Sequence, residues 1–430
     1  MMRARARDTE LGLLLLVAIV TGGAYVLASL GKTASLPANI GPFLGVILGL
    51  LLVAHLVVRR VARNADAVLL PIAGLLNGLG YVFIARLNQD LAGLQATWTL
   101  IGIAAFIGTL FVVRQARDLD RYRYSFALLG VGLLMMPLLP GVGRVINGAR
   151  LWVRLGPINF QPGELAKIAL AIFFAAYLVE KRELLSDFGK GRLLPQPRAA
   201  APLLLAWGFS LLVMTAEKDL GSSLLFFALF IGLLWIATDR AMYLGIGAGL
   251  FAMGSVFAYT SFTHVQERVK IWRNPWPHAA DDGYQLVQGL YAMGSGGISG
   301  SGIGLGSPQK IPAAATDFIF AAIGEETGLI GTIAVVTAFL LMVGVGLRIA
   351  LRADQPFEKL LATGLTLILG VQTFIILGGV TQLVPLTGIT LPFVSYGGSS
   401  LIANYVLLAL LLRISNDTVE RRLRREGVDG

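Results

Sequence analysis

Three stretches of this 430-residue chain hold residue types at spacings suited to acid–base or anion chemistry. In QPGELAK, residues 161–167, Glu164 and Lys167 are three apart and share one face of any helix that forms there. Pro162 suits the first turn of that helix, where its missing N–H has no partner in any case. The run that follows is apolar, so the pair lies inside a membrane span, where a Lys or Asp costs about 2.5–3.5 kcal/mol at the helix centre. Either a mutual ion pair merely pins helices there, or the site is functional, which is the default for ionisable groups inside spans. The second stretch, PGVGRVINGARLWVRLGPINF, holds Arg144, Arg150 and Arg154. Arginine forks match phosphate bidentately, so an anionic ligand is one reading; snorkelling toward lipid headgroups is the other. The third stretch, HVQERVKIWRNPWPHAADDGYQ, is charged and aromatic, and the Gly-rich GSGGISGSGIGLG soon follows it. Polar loops longer than about 12–15 residues are uncommon unless functional or disordered, and the Trp, Tyr and Ile content here argues against disorder.

Weaker candidates surround these. Glu217, Lys218 and Asp219 sit between two short apolar runs, and Asp219 reads first as a helix cap before LGSS. Asp317 reads as a cap for the helix after it, and Glu325 and Glu326 enter early in an apolar run. The segment 385–405, PLTGITLPFVSYGGSSLIANY, opens a run with two prolines, hydroxyls and a Gly pair. Small residues there permit close helix packing; a non-helical entrance turning hydroxyls to a polar ligand is the functional reading.

The elements that must position these groups are membrane helices. Hydrophobic residues make up 56% of the chain and charged residues 14%, with a mean hydropathy of +0.74; an ordinary soluble domain is about 25% charged. Spans of about 20 apolar residues predict an all-α polytopic bundle of about twelve helices, at 11–30, 41–58, 68–84, 98–113, 126–139, 165–178, 203–215, 220–237, 242–259, 328–347, 360–380 and 391–412. The formal charge of +10 resides mainly in short Arg and Lys clusters between these runs. That is the positive-inside pattern, which explains the charge without a nucleic-acid partner and places both termini in the cytoplasm and the long loop outside. The expected divisions are N-terminal spans over 1–123, a core over 124–259 with the QPGELAK motif, the external loop over 260–316, and C-terminal spans with a cytoplasmic tail over 317–430. The absence of cysteine excludes disulfides and thiolate metal sites. The first apolar run has no small-residue cleavage site after it and reads as a retained span.

The strings NGARLWVRLGPINFQPGELAKI, EKDLGSS, GYQLVQGLYAMGSGGISGSGIG, TDFIFAAIGEETGLIG and PLTGITLPFVSYGGSSLIANY resemble the SEDS family of RodA, FtsW and SpoVE, RodA-like members above all. The likeness runs from about Asn147 to the end of the last span, with two N-terminal spans beyond the family's usual ten. It implies a peptidoglycan glycosyltransferase of the bacterial cytoplasmic membrane, with its active site facing outward. Such enzymes polymerise lipid II, an undecaprenyl-pyrophosphate-linked substrate, in elongation or division, beside a class B penicillin-binding protein that crosslinks. The family's essential acid lies in a loop pattern like N-P-W-x-D-P-x-G-x-G-Y-Q; here NPWPHAADDGYQ puts His278 at that place, with Asp281 and Asp282 three and four residues on. All three are expected as the catalytic base, Asp281 first, since a histidine is itself a competent base. The family's Glu and Lys carry over to Glu164 and Lys167. Forming the glycosidic bond needs a base for the acceptor hydroxyl and cations for the departing pyrophosphate. Under the resemblance Arg150, Arg154, Arg144, Trp152, Gln161, Lys310, Ser395 and Ser399 are expected at the substrate, with Arg268, Lys270 and Arg273 weaker. The sequence names no cofactor for certain, and a divalent cation, Mg²⁺ or Mn²⁺, is a candidate to assist. The rival reading is a lipid-linked precursor flippase or other transporter, which shares buried ion pairs and broken helices. A transporter wants its acids near the midplane, whereas a polymerase wants one in the external loop.

Overall fold

The computed structural model describes residues 2–35, 40–146, 149–156, 158–186, 205, 208, 216–217 and 219–427. In chain order its helices are α1 (Met2–Thr33), α2 (Ile40–Val61), α3 (Leu69–Leu87), α4 (Gln89–Val112), α5 (Arg123–Met135), α6 (Gly163–Glu180), α7 (Arg182–Ser186), α8 (Leu220–Thr238), α9 (Met242–Ser261), α10 (Thr263–Arg273), α11 (Tyr284–Gly296), α12 (Ile319–Arg352), α13 (Pro356–Val380) and α14 (Gly398–Arg425). Strands β1 (Gly143–Ile146), β2 (Ala149–Leu155) and β3 (Ile158–Phe160) form a small antiparallel sheet in that order. Among the described residues α1, α3, α4, α8, α9, α12, α13 and α14 are long and apolar enough to cross a membrane. The expected span at 203–215 lies almost wholly outside the described residues; every other expected span coincides with a helix over most of its length.

Three differences have physical causes. The stretch 260–316 is folded rather than looped, with α10 and α11 inside it. The last span begins at Gly398, not near residue 391, because 391–395 closes a tight turn: Ser395 N donates to Leu391 O, and Phe393 adopts φ 63°. Helix α12 begins at Ile319 and breaks at Gly328, whose φ of 65° and ψ of −163° leave the helical region. A side chain at Gly328 would collide with the backbone of Ile298 and Gly300, so only glycine lets the helix bend around the Gly-rich segment.

The chain divides into two compact units. The first comprises Met1–Val112, Glu267–Val345 and Gln372–Gly430. In it α14 lies along α4, α1 along α3, and α2 against α1 and α4. Arg413 on α14 donates to Val61 O at 3.1 Å and also to Leu110 O. These carbonyls end α2 and α4 and have no partner within their helices. The second unit comprises Val113–Gln266 and Gly346–Val371. Here α6 packs between α5 and α8, and α9 lies on α8. Helix α6 is buried from Ala166 to Leu178, as a helix apolar on all sides must be.

Candidate functional site

In the second unit Glu164 and Lys167 meet on the first turns of α6, Nζ donating to Oε2 at 2.9 Å, and both are buried. Asp219 caps α8 by accepting from Ser222 N at 3.0 Å. It also interacts electrostatically with Lys167 and Glu164, so a residue read as a cap joins the ion pair. Glu217 is buried beside it, with an Oε1 that has no hydrogen-bond partner among the described residues. Gln161 lies at the entrance of α6 and accepts Glu164 N through its carbonyl oxygen.

The sheet gathers the arginines. Strand β2 alternates Arg150, Trp152 and Arg154 on one face. Register places Arg144 of β1 opposite Trp152, and Asn159 of β3 opposite Arg154. Arg144, Arg150, Trp152 and Arg154 therefore share a face, while Val153 on the reverse face is buried. Arg150 Nη2 donates to Leu139 O at 3.4 Å and Arg154 Nε to Gly156 O at 2.8 Å, leaving each fork with donors to spare. Three guanidinium groups around one indole make a face suited to a phosphorylated sugar.

In the first unit residues 274–283 form a closed turn between α10 and α11. His278 N donates to Pro275 O, and His278 O accepts from both Asp281 N and Gly283 N. A side chain at Gly283 would come within 2.8 Å of His278 O and 2.9 Å of Pro275 O, so glycine is what lets the turn close. His278 is half-buried, whereas Asp281 and Asp282 are exposed. Helix α10 is fastened to the segment before α14: Arg268 Nη1 donates to Leu386 O at 3.0 Å, and Trp272 and Gln382 exchange side-chain bonds to each other's carbonyls at 3.0 and 2.7 Å.

The glutamates of GEETG staple the Gly-rich segment. Glu326 accepts Gly304 N at 2.9 Å and Glu325 accepts Ser307 N at 2.7 Å. Arg86 of α3 lies 3.2 Å from Glu326, an ion-pair distance without hydrogen-bond alignment, and donates to Gly306 O. Lys310 is exposed in a turn beyond this segment. The Ser395 hydroxyl donates to Thr316 O at 2.6 Å and accepts Leu391 N at 2.9 Å, so it braces the backbone, and Ser399 is buried. Among the described residues no group of three or more histidine, aspartate or glutamate side chains could hold a metal ion. The sequence signalled neither the electrostatic link of Asp219 to the ion pair nor that of Arg268 to Asp317, since each joins residues distant in sequence.

Long apolar helices with buried ion pairs, joined by folded polar segments, define a helical membrane protein. Residues 81–420 match the family model for FtsW, RodA and SpoVE, described as "Cell cycle protein", and the chain belongs to that family. It is 45% identical over 424 residues to the peptidoglycan glycosyltransferase RodA of Mycobacterium tuberculosis, covering 95% of this chain and 90% of the relative. It is 36% identical over 342 residues to the probable peptidoglycan glycosyltransferase FtsW of Geobacter metallireducens, covering 78% and 85%. Among solved structures it resembles a chain of a peptidoglycan synthase complex that coordinates polymerization and crosslinking, with a TM-score of 0.67 at 26% identity over 82% of this chain and 98% of that one. It also resembles the rod shape determining protein RodA of Thermus thermophilus, with a TM-score of 0.59 at 25% identity, covering 82% and 97%.

Proposed function

We propose that this chain is a peptidoglycan glycosyltransferase that polymerises lipid II on the outer face of the cytoplasmic membrane, beside a class B penicillin-binding protein that crosslinks the product. The observation that carries the reading is the 45% identity, over 95% of the chain, to relatives named for that activity. Each unit by itself holds residue types that the reaction calls for. A base removes the proton of the acceptor sugar hydroxyl as its oxygen attacks the anomeric carbon, a contribution of about 10²- to 10⁴-fold in rate. The closed turn at 274–283 offers His278, Asp281 and Asp282 for this. The bond from the anomeric carbon to the pyrophosphate then breaks, and cations must meet the departing charge. In the second unit, taken by itself, the face holding Arg144, Arg150 and Arg154 carries cations of that kind, with Trp152 on the same face. The polyprenyl tail stays in the bilayer throughout.

Purified protein with its penicillin-binding partner and labelled lipid II tests this by the appearance of glycan polymer. We expect polymer from the wild type and a loss of about 10²-fold or more from at least one of His278→Ala, Asp281→Ala and Asp282→Ala. Polymer from all three at the wild-type rate would remove the base from this turn. Movement of lipid across vesicles without polymer would favour the flippase.

A further inference from the structure

Asp317 is an acid that the roles above leave unused. The sequence reads it as a cap for α12, but the groups that act on its carboxylate are the Thr316 hydroxyl, which donates to Ala313 O at 3.1 Å, and the charge of Arg268, and neither is an N–H of that helix. Three segments of the first unit meet around it. Its Oδ2 lies 3.6 Å from the place a side chain at Gly388 would occupy. Ser395 Oγ and Tyr396 N clamp the carbonyls of Thr316 and Ala315 at 2.6 and 2.8 Å. On the third side Arg268 reaches from α10 to Leu386 O, and α10 runs straight into the turn that holds His278, Asp281 and Asp282. Burial pushes the Asp317 carboxyl up to about 6, with the Thr316 hydroxyl and Arg268 opposing that rise. At neutral pH it is therefore ionised and attracts Arg268, the charged group facing it.

We propose that Asp317 and Arg268 form a positioning pair that sets the angle of α10, and through it the place of the catalytic turn, for glycosyl transfer. The proposal rests on the glycosyltransferase reading and adds a device to it. Arg268 donates to the Leu386 carbonyl and feels the charge of Asp317, so losing the carboxylate removes one of the attractions that orient the guanidinium. The turn begins one residue past the end of α10, close enough for a small tilt to misplace it. A displacement of about 1 Å at a reacting group costs about 10²-fold in rate, whereas the substrate contacts made by other segments are untouched.

The test is steady-state polymerisation of labelled lipid II by the complex with its penicillin-binding partner, in a double-mutant cycle of Asp317→Asn and Arg268→Gln. Each single variant should lower kcat about 10- to 100-fold with KM within about threefold, and the double variant should be no worse than the worse single. The charge exchange Asp317→Arg with Arg268→Asp should recover part of the loss. Losses that multiply in the double variant, or singles within about twofold of wild type, overturn the pair. Should Asp317→Asn fail to fold, Arg268→Gln with Asp317→Glu decides: kcat lost in the first and retained in the second supports the pair, and any other pattern overturns it. A wild type that makes no polymer sinks the glycosyltransferase reading itself, an outcome distinct from a fully active Asp317→Asn.

Discussion

At the scale of single residues, the Glu164–Lys167 pair poses a choice that spacing alone leaves open, since pinning helices and serving substrate both call for a buried ion pair. The structure makes the choice testable because both partners are buried and in contact. Lys167→Met leaves a carboxylate unpaired in apolar surroundings, a loss of about 3–5 kcal/mol. Adding Glu164→Gln removes that carboxylate and leaves Asp219 as the acid facing the site, so the double variant should regain part of the lost thermal stability. A pair that only pins helices would then also regain polymerisation. We expect stability to return in part and glycan synthesis not to, measured by thermal unfolding in detergent and by the lipid II assay. The sequence showed the pair because three-residue spacing is a local property. It hid Asp219, whose approach to the pair depends on how α8 packs on α6. Ser395 misleads in the opposite sense, because a hydroxyl in a motif says nothing of whether the backbone has already claimed it.

Among the elements, the membrane helices were legible from hydropathy and the polar ones were not. Helix α10, THVQERVKIWR, is too hydrophilic for a span search to find. The sheet did leave a trace: Arg150, Trp152 and Arg154 alternate with Leu151 and Val153, the period of a strand. What no local pattern carries is the docking of α1, which precedes the segment matching the family model. A side chain at Gly31 would come within 2.5 Å of Ile303 O, and one at Gly304 within 2.5 Å of Ala28 O, so helix and Gly-rich segment touch through two glycines. Lys32 Nζ donates to Arg86 O at 3.0 Å, joining α1 to the residue that pairs with Glu326. Two independent staples thus hold the Gly-rich segment, one from GEETG and one from α1. Gly31→Val should force them apart and cost about 1–3 kcal/mol, read as a lowered unfolding temperature. Gly12→Val, on the same helix with open space around it, should lower it by much less.

For the whole molecule, the orientation in the membrane follows from one helix and its ends. Helix α14 has 28 residues, about 42 Å at 1.5 Å per residue, so it outspans a hydrocarbon core of about 30 Å and its ends must lie on opposite sides. The segment leading into it clamps the turn at 315–316 that follows the Gly-rich segment. Toward its other end, Asn416 Oδ1 accepts Asn64 N at 3.0 Å and Ser415 Oγ accepts Asp66 N at 3.1 Å. These contacts bring Arg59, Arg60 and Arg63 to the end of the unit that carries Arg421, Arg422, Arg424 and Arg425. We propose that the end where seven arginines gather is the cytoplasmic one and that the end holding the turn at 315–316 faces outward. The chain has no cysteine, so a single substitution gives a single thiol. Asp282→Cys, at an exposed position in the turn at 274–283, should react with a membrane-impermeant maleimide on intact spheroplasts. Arg424→Cys should react only once the membrane is opened. The opposite pattern would turn the protein over and leave the proposed base on the wrong side of the bilayer from the growing glycan.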